Sequence, residues 1–262
     1  MPQYTLTHKV RKTRSSILCF SIAVDKNISK LSNYFGAQIS AENSRSIQKI
    51  FTAQRQLPQS DFELALGLKP SKKRSEPFKM PLEDGKVFPN YFTSVITEKN
   101  EARYIEEMRY RVRPWGSKEE VPTKFNLYNA RLDSLLTRKT WQNIFMKNHG
   151  IVPFVKFYEW VPGPDQKPKL ITFFPEDREV MWAPCLWDEW VSKDGSLSFK
   201  SFAIITDDPP PEIEIMGHDR CPVFLKEELI DSWLNPKNEN INEVLEMLTH
   251  KEAVEYKFEW AV

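Results

Sequence analysis

The sequence predicts an α+β protein in which helices near both ends of the chain cover a β-sheet built from its middle part. Strand-like apolar runs recur between Tyr91 and Leu225 and are separated by turn-rich segments. Helical spacing of apolar residues is found in residues 28–35, 44–57, 135–145, 226–234 and 240–250. The chain of 262 residues is long enough to bury a sizeable core.

Two pairs of segments in the middle of the chain predict antiparallel hairpins. Residues 151–161 form an apolar run that pairs back with residues 169–174. Residues 179–190 and 198–206 form the second pair. Residues 58–92 are rich in Pro, Lys and Ser, so we expect long loops with little regular structure there.

Composition excludes several broad classes of protein. Hydrophobic residues make up 40% and charged residues 28% of the chain, as in an ordinary globular protein, and no apolar run approaches a membrane span. The net charge is +1, so an anionic partner has to be met by a local basic patch. Three widely spaced cysteines do not form a disulfide framework and fit a reducing, cytoplasmic compartment.

The N-terminal segment, residues 1–17, is basic and contains no acidic residue. It has no apolar region of the kind that defines a secretory signal. We interpret it as an extension that precedes a single domain formed by residues 18–262. It could be a disordered arm, a transit-like segment, or the product of a start codon placed too far upstream, with Leu18 as the true start. Either a start at Leu18 or removal of the extension would leave Cys19 as the N-terminal residue.

Cys19 lies in a stretch, residues 18–24, in which apolar and small residues alternate as in a buried strand. An unpaired cysteine in such a strand is most often a small core residue. The alternative is that Cys19 is a reactive thiol close to Asn129, Glu159 and His218. We expect the two other cysteines, Cys185 and Cys221, to be core thiols.

A basic run, residues 109–113, ends at Pro114 and is followed by Trp115. With the period of two of a strand, Arg109, Arg111 and Arg113 share one face, with guanidiniums about 7 Å apart. This spacing suits phosphates of an extended single strand, and Trp115 could stack on an unpaired base. The alternative is an exposed sheet edge blunted by charge.

Three polar residues are candidates for chemistry. Glu159 stands between Tyr158 and Trp160 on an apolar strand, where a carboxylate is costly to bury without a partner or a role. His218 lies in a polar loop next to an arginine and can exchange protons near neutral pH. Asn129 precedes a helix-like segment and could simply cap it. Glu159 could also be a structural partner of an arginine, and His218 could satisfy a buried carbonyl.

Four stretches in this order resemble the SRAP family of SOS-response-associated peptidases, or abasic-site processing proteins. They are Cys19-Phe20-Ser21-Ile22-Ala23, Asn129-Ala130-Arg131, Phe157-Tyr158-Glu159-Trp160 and His218-Asp219-Arg220-Cys221-Pro222. Two later segments, residues 186–190 and 202–206, are similar to the family's last strands. The resemblance covers roughly residues 18–234 and implies a mixed, barrel-like sheet flanked by helices, with a positively charged groove for single-stranded DNA.

The resemblance also implies a reaction, in which an N-terminal cysteine forms a thiazolidine with the aldehyde of an abasic site. Cys19 would be the covalent nucleophile and Asn129 would position the sugar or the terminal amine. Glu159 would be the acid and base at the imine step, and His218 would assist ring opening and proton exchange. Arg131 and Arg220 would hold phosphates.

The sequence departs from the family pattern at several positions. The cysteine usually stands at position two, whereas residues 1–18 precede it here. The usual Trp-Gly-Leu-Ile-Pro stretch is replaced by residues 110–114, Tyr-Arg-Val-Arg-Pro, which removes one expected stacking platform and adds charge. Lys156 replaces a glycine before Phe157, and Cys221 replaces a methionine. A divergent member of the family that handles DNA differently is therefore an alternative.

Three functions are therefore compared. The leading hypothesis is a cytoplasmic, nucleoid-associated monomer that crosslinks to abasic sites in single-stranded DNA in the DNA damage (SOS) response, with no cofactor, no metal and no membrane partner. The second is a cysteine peptidase that uses Cys19 with His218 or Glu159 to remove its own leader. The third is a non-catalytic module that binds single-stranded nucleic acid. The spacing of His218, Cys221 and Cys185 matches no convincing metal-ligand pattern.

Overall fold

The computed structural model describes residues 21–69, 76–163, 165, 167–236 and 240–260. The helices are α1 (Ile28–Phe35), α2 (Ala41–Gln56), α3 (Gln59–Ala65), α4 (Lys139–Gln142), α5 (Pro211–Ile215), α6 (Ile230–Leu234) and α7 (Ile241–Thr249). The strands are β1 (Ser21–Ala23), β2 (Ala37–Ile39), β3 (Lys86–Val87), β4 (Phe92–Lys99), β5 (Ala102–Tyr110), β6 (Asn129–Arg131), β7 (His149–Phe154), β8 (Lys156–Pro162), β9 (Pro168–Pro175), β10 (Met181–Val191), β11 (Ser198–Asp207), β12 (Cys221–Pro222) and β13 (Tyr256–Trp260). The predicted boundary between residues 17 and 18 falls outside the described residues.

Five strands of the larger sheet close into a barrel. In order around it, β11 pairs with β10, β10 with β7, β7 with β4, β4 with β5, and β5 again with β11. The last pairing is parallel and joins Ser201 to Arg109 and Phe202 to Tyr110, whereas the other four are antiparallel. Closure leaves no free edge among these five strands. The predicted α+β class with a mixed, barrel-like sheet is confirmed.

The smaller sheet has the strand order β13-β9-β8-β1-β3. The chain passes from the barrel strand β7 into β8 of this sheet at Val155, whose N–H donates to the carbonyl of Ala23 in β1 at 2.8 Å. The single strand predicted over residues 151–161 is therefore two strands in two different sheets. Both predicted hairpins are confirmed, as β8 with β9 and β10 with β11.

The core of the protein joins these layers. One cluster of buried residues lies between the two sheets and includes Ile22 and Phe157 from the smaller sheet and Val152 and Phe202 from the barrel. A second cluster, in which Trp141 and Trp233 are the largest fully buried side chains, packs α1, α4, α6 and α7 on the barrel. No helix in the described ranges combines the length and apolar character needed to cross a bilayer.

Local signals explain most helix ends. Asn27 caps α1 by accepting from the N–H of Lys30 at 3.1 Å, and Gly36 ends it with a φ of 59° that favours glycine. The expectation of little regular structure in residues 58–92 is wrong over α3. That helix forms because Phe62 packs against Phe78 in a third buried cluster.

His149 is a core histidine whose protonation opposes folding. It is 3% exposed, stacks on Trp233 at 3.8 Å, and its Nδ1 lies 2.6 Å from the carbonyl oxygen of Trp233. Burial lowers the pKa of His149 to about 4, against the opposing effect of that hydrogen bond. The neutral ring is therefore the form that the folded core holds.

We expect His149 to make folding stability depend on pH. The unfolded pKa is about 6.5, so its contribution is complete above that pH and is lost as pH falls towards the folded pKa of about 4. The free energy of unfolding of the wild type should fall by about 2 kcal/mol more than that of His149→Gln between pH about 7 and about 5. Urea unfolding at both pH values measures this difference. An equal fall in both proteins would contradict it.

Candidate active site

Strand β11 places two side chains of the site, Tyr110 and Asn129, in register. Its residue Phe202 pairs with Tyr110 at the end of β5, and the ring of Tyr110 stacks on that of Phe202 at 5.0 Å. Two residues further on, Ile204 pairs with Asn129 at the start of β6. Because alternate residues of a strand point to one face, β5 and β6 present Tyr110 and Asn129 side by side. The Tyr110 hydroxyl contacts Asn129 Oδ1 at 3.4 Å.

Strand β8 carries Glu159 on its inner side. The alternation buries Phe157, Glu159 and Val161, whereas Trp160 on the other side is 37% exposed. Glu159 is 2% exposed, and a carboxylate this deep needs a polar partner. Its partner is His218, whose Nε2 lies 2.9 Å from Glu159 Oε2.

The segment before His218 turns sharply at Gly217, where φ is 90°. A Cβ at this position would lie 3.0 Å from the ring of Pro162, the last residue of β8. Glycine therefore allows both the turn and the close approach to β8, which brings the next residue, His218, over Glu159. After this turn the chain forms β12, in which Cys221 pairs with Asp207 of β11.

The surroundings of His218 accommodate either protonation state. Its Nδ1 lies 2.7 Å from the carbonyl oxygen of Arg220 and 3.2 Å from the N–H of Arg220. An imidazolium can donate to Glu159 through Nε2 and to the carbonyl of Arg220 through Nδ1. The neutral ring can keep the proton on Nε2 and accept the N–H of Arg220 at Nδ1. A proton can thus leave and return without rearrangement of the loop.

Burial and mutual contact shift the two groups of the pair in the same direction. Burial raises the pKa of Glu159, and the hydrogen bond from His218 only partly opposes this. Burial by itself would lower the pKa of His218, but the hydrogen bond and charge of Glu159 outweigh it and raise that pKa. The pair therefore holds its proton to a higher pH than free side chains would, as a proton donor at neutral pH requires.

Tyr110 is a member of this cluster that sequence reasoning missed. Its side chain is fully buried, and burial followed by the charge of Glu159 raises the pKa of its hydroxyl. Its hydroxyl also contacts Asn129, so Tyr110 links the Asn129 side of the site to Glu159. The only signal in the sequence was its place at the start of residues 110–114, which depart from the family pattern.

Two arginines predicted to hold phosphates lie at the rim of the cluster. The side chain of Arg131, at the end of β6, is 45% exposed and is paired with Asp133. Arg220 is paired with Asp208 at 3.0 Å, and its side chain is 15% exposed. Neither contacts Glu159, so Glu159 is not the structural partner of an arginine that the alternative interpretation required. Asn129 bonds to Tyr110 rather than capping the following turn.

The prediction that the arginines of residues 109–113 form a row along one strand face is wrong. Strand β5 ends at Tyr110, and Arg111 has a φ of 135°, so the strand alternation does not continue. Arg109, Arg111 and Arg113 are 1%, 5% and 0% exposed and converge on Glu120, at 2.7, 3.8 and 3.8 Å. Guanidiniums held in the interior cannot line a surface for phosphates, and they do not blunt an exposed edge either.

Trp115 is held on the surface by the loop that this buried cluster anchors. Its side chain is 76% exposed, and its backbone N–H donates to Asp188 Oδ2 at 2.9 Å. Arg113, two residues earlier, lies over the ring of Trp190 at 3.8 Å and fixes the start of the loop. Trp115 is therefore exposed, and its stacking on a DNA base stays a prediction.

The cysteines divide into two groups. Cys19 lies outside the described residues, and the first described strand, β1, begins at Ser21, two positions later in the sequence. Burial raises the pKa of the Cys185 thiol well above its ordinary range and that of Cys221 to about 12. Both thiols are buried and unpaired, in agreement with the prediction of core thiols. Within the described ranges, no three His, Cys, Asp or Glu side chains form a group that could hold a metal ion.

A fold of this kind, with a carboxylate and an imidazole paired inside it, defines a recognised class of protein. The family model described as SOS response associated peptidase (SRAP) matches residues 49–261. The chain belongs to the SRAP family, as its ordered motifs indicated.

Particular relatives carry more specific names. The abasic site processing protein YoqW of Bacillus subtilis is 28% identical over 166 residues, which cover 60% of this chain and 71% of the relative. The abasic site processing protein YobE of the same organism is 28% identical over 165 residues, covering 60% and 73%.

Solved structures show the same fold. A protein from Bacteroides thetaiotaomicron has a TM-score of 0.64 at 19% identity, over 92% of this chain and 91% of that one. A protein from Bordetella bronchiseptica also has a TM-score of 0.64, at 17% identity, over 93% of this chain and 100% of that one.

Proposed function

We propose that the form of this protein that begins at Cys19 binds single-stranded DNA and crosslinks covalently to the ring-opened aldehyde of an abasic site. The observation that carries the proposal is the buried Glu159–His218 pair, with its 2.9 Å contact. Glu159 lies on β8, the neighbour of β1, whose first residue Ser21 pairs with Tyr158. The names of the Bacillus relatives give the same substrate class.

The chemistry needs a thiol and a primary amine on one residue. The α-amine of Cys19 adds to the aldehyde carbon and gives a carbinolamine. The hydroxyl leaves as water with a proton from Glu159, and the nitrogen then releases its own proton to the Glu159–His218 pair, which gives an imine. The Cys19 sulfur then adds to the imine carbon while the thiol proton passes to the nitrogen, which closes a five-membered thiazolidine. Aldehyde and aminothiol thus combine with release of one water, and no redox partner is required.

The remaining residues have binding and proton-transfer roles in this proposal. His218 returns a proton to Glu159 and assists opening of the deoxyribose ring. Asn129, oriented by Tyr110, positions the sugar or the amine. Arg131 and Arg220 exchange their carboxylate partners for phosphates, and Trp115 stacks on an unpaired base. The protein acts as a monomer on DNA of the nucleoid.

Denaturing gel electrophoresis tests the proposal. We expect a shifted band when protein beginning at Cys19 is incubated with single-stranded DNA whose uracil has been excised. The same DNA carrying a tetrahydrofuran analogue, which has no aldehyde, is the control and should give none. Protein whose residues 1–18 are intact should not react, because an internal cysteine has no free amine. Binding of both DNAs without a shifted band would instead favour a non-catalytic nucleic-acid-binding module.

A further inference from the structure

The outer side of β8 carries a second arrangement of side chains suited to nucleic acid. Lys156, Tyr158 and Trp160 alternate with the inward Glu159, so they lie about 7 Å apart on one face. Next to them, the segment around β3 contributes Lys86, and beyond it Phe88. We call these five residues the lysine–aromatic face.

Contacts within this face interleave cations and rings. Lys86 Nζ lies 3.9 Å from the centre of the Tyr158 ring and 5.6 Å from that of Phe88. Lys156 Nζ lies 5.8 Å from the same Tyr158 ring. The rings of Phe88 and Trp160 are 36% and 37% exposed, whereas the Tyr158 ring under Lys86 is only 6% exposed.

The two lysines of the face have an acidic neighbour, Asp84, whose charge acts on Lys86 without an ion pair. Neither Lys86 nor Lys156 forms an ion pair with any residue that the structure describes. Burial, together with the nearby charge of Lys156, lowers the pKa of Lys86, against the opposing charge of Asp84. An anion bound here would relieve the repulsion between the two lysines.

We propose that the lysine–aromatic face binds the unpaired strand that continues from the abasic site, with Lys86 and Lys156 on phosphates and Phe88 and Trp160 stacked on bases. This inference rests on the proposed function, whose substrate it specifies further. Lysines that follow the backbone, combined with rings that stack on any base, are the usual means of binding a single strand without sequence preference. The occupant of the face is an unpaired strand rather than a duplex, because the stacked bases of a duplex do not expose their rings.

The salt dependence of binding provides the first test. Fluorescence anisotropy measures the affinity for a labelled single strand that carries the tetrahydrofuran analogue, which cannot crosslink. Loss of two phosphate contacts in the double variant Lys86→Gln and Lys156→Gln should reduce the slope of log affinity against log salt by about 1.4. The control, Lys49→Gln with Lys193→Gln, removes the same charge from exposed lysines elsewhere and should keep the wild-type slope. Equal slopes in the two double variants would overturn the proposal.

A second pair of variants tests stacking and guards against misfolding. Trp160→Ala should weaken binding about tenfold. Phe258→Ala, which removes a ring that is 49% exposed on β13, should leave binding unchanged. Lysine-to-arginine changes at positions 86 and 156 keep the charge and should keep the slope. The wild type must in parallel crosslink aldehyde-bearing DNA. Failure of the wild type to crosslink would overturn the proposed function. A normal crosslink, with no effect of these variants on binding, would overturn only the proposal that this face binds the strand.

Discussion

Replacing Glu159 by Gln should slow the crosslink by about 10² to 10⁴-fold, because a general acid or base in position is worth that much. Glutamine fills the same volume and can still accept the hydrogen bond of His218 Nε2, so the fold should be retained. It cannot give up a proton to the departing hydroxyl. Single-turnover rates at saturating abasic DNA measure the effect, and the exposed Glu189→Gln serves as the matched control.

The pH profile of the same variant provides a second readout. Glu159 raises the pKa of His218, so its loss should let that pKa fall. The alkaline limb of the rate profile should therefore move to lower pH in Glu159→Gln. A wild-type rate with an unchanged profile would show that the buried pair takes no part in the chemistry.

Replacing Glu120 by Gln should destabilise the protein by about 3 to 5 kcal/mol, because it leaves buried guanidiniums without their carboxylate. Glu120 Oε2 lies 2.7 Å from Arg109 and 3.8 Å from Arg113, and its Oε1 lies 3.8 Å from Arg111. Burial lowers the pKa of Arg113 to about 10, and the charge of Glu120 opposes this.

Denaturant unfolding of Glu120→Gln against Glu119→Gln measures this cost. The two residues are neighbours in sequence, but Glu119 is exposed, so its variant should differ from the wild type by less than about 0.5 kcal/mol. A similarly small loss in Glu120→Gln would show that the three arginines do not depend on this carboxylate. Because the cluster anchors the loop of Trp115, DNA affinity should fall together with stability.

Local patterns in the sequence predicted the β8–β9 and β10–β11 hairpins because each is formed by neighbouring segments. The period of two along β8 likewise indicates that Glu159 and Trp160 point to opposite sides of the strand. The period of two could not identify the partner of Glu159. His218 comes from a loop after β11 and reaches β8 only through the turn at Gly217.

The arginine run shows where the same reasoning fails. Alternation assumes a continuous strand, but the left-handed backbone at Arg111 ends the pattern. Arginine is also seldom buried, so exposure was the natural expectation. The three arginines are nevertheless buried, because Glu120 provides their carboxylate partner. Glu120 is a loop residue whose position depends on tertiary structure. Tyr110 was missed for a related reason, because its neighbour Asn129 is brought to it by the parallel pairing of β5 and β6 with β11.

The intact mass of the product tests the central claim most directly. Protein that begins at Cys19 should give, with abasic single-stranded DNA and no reductant, a species whose mass is the sum of both components less one water, with the link mapping to Cys19. Cys19→Ser should give a comparable adduct only when borohydride traps an imine. An adduct of equal yield without reductant in Cys19→Ser, or a link that maps to another residue, would contradict the account.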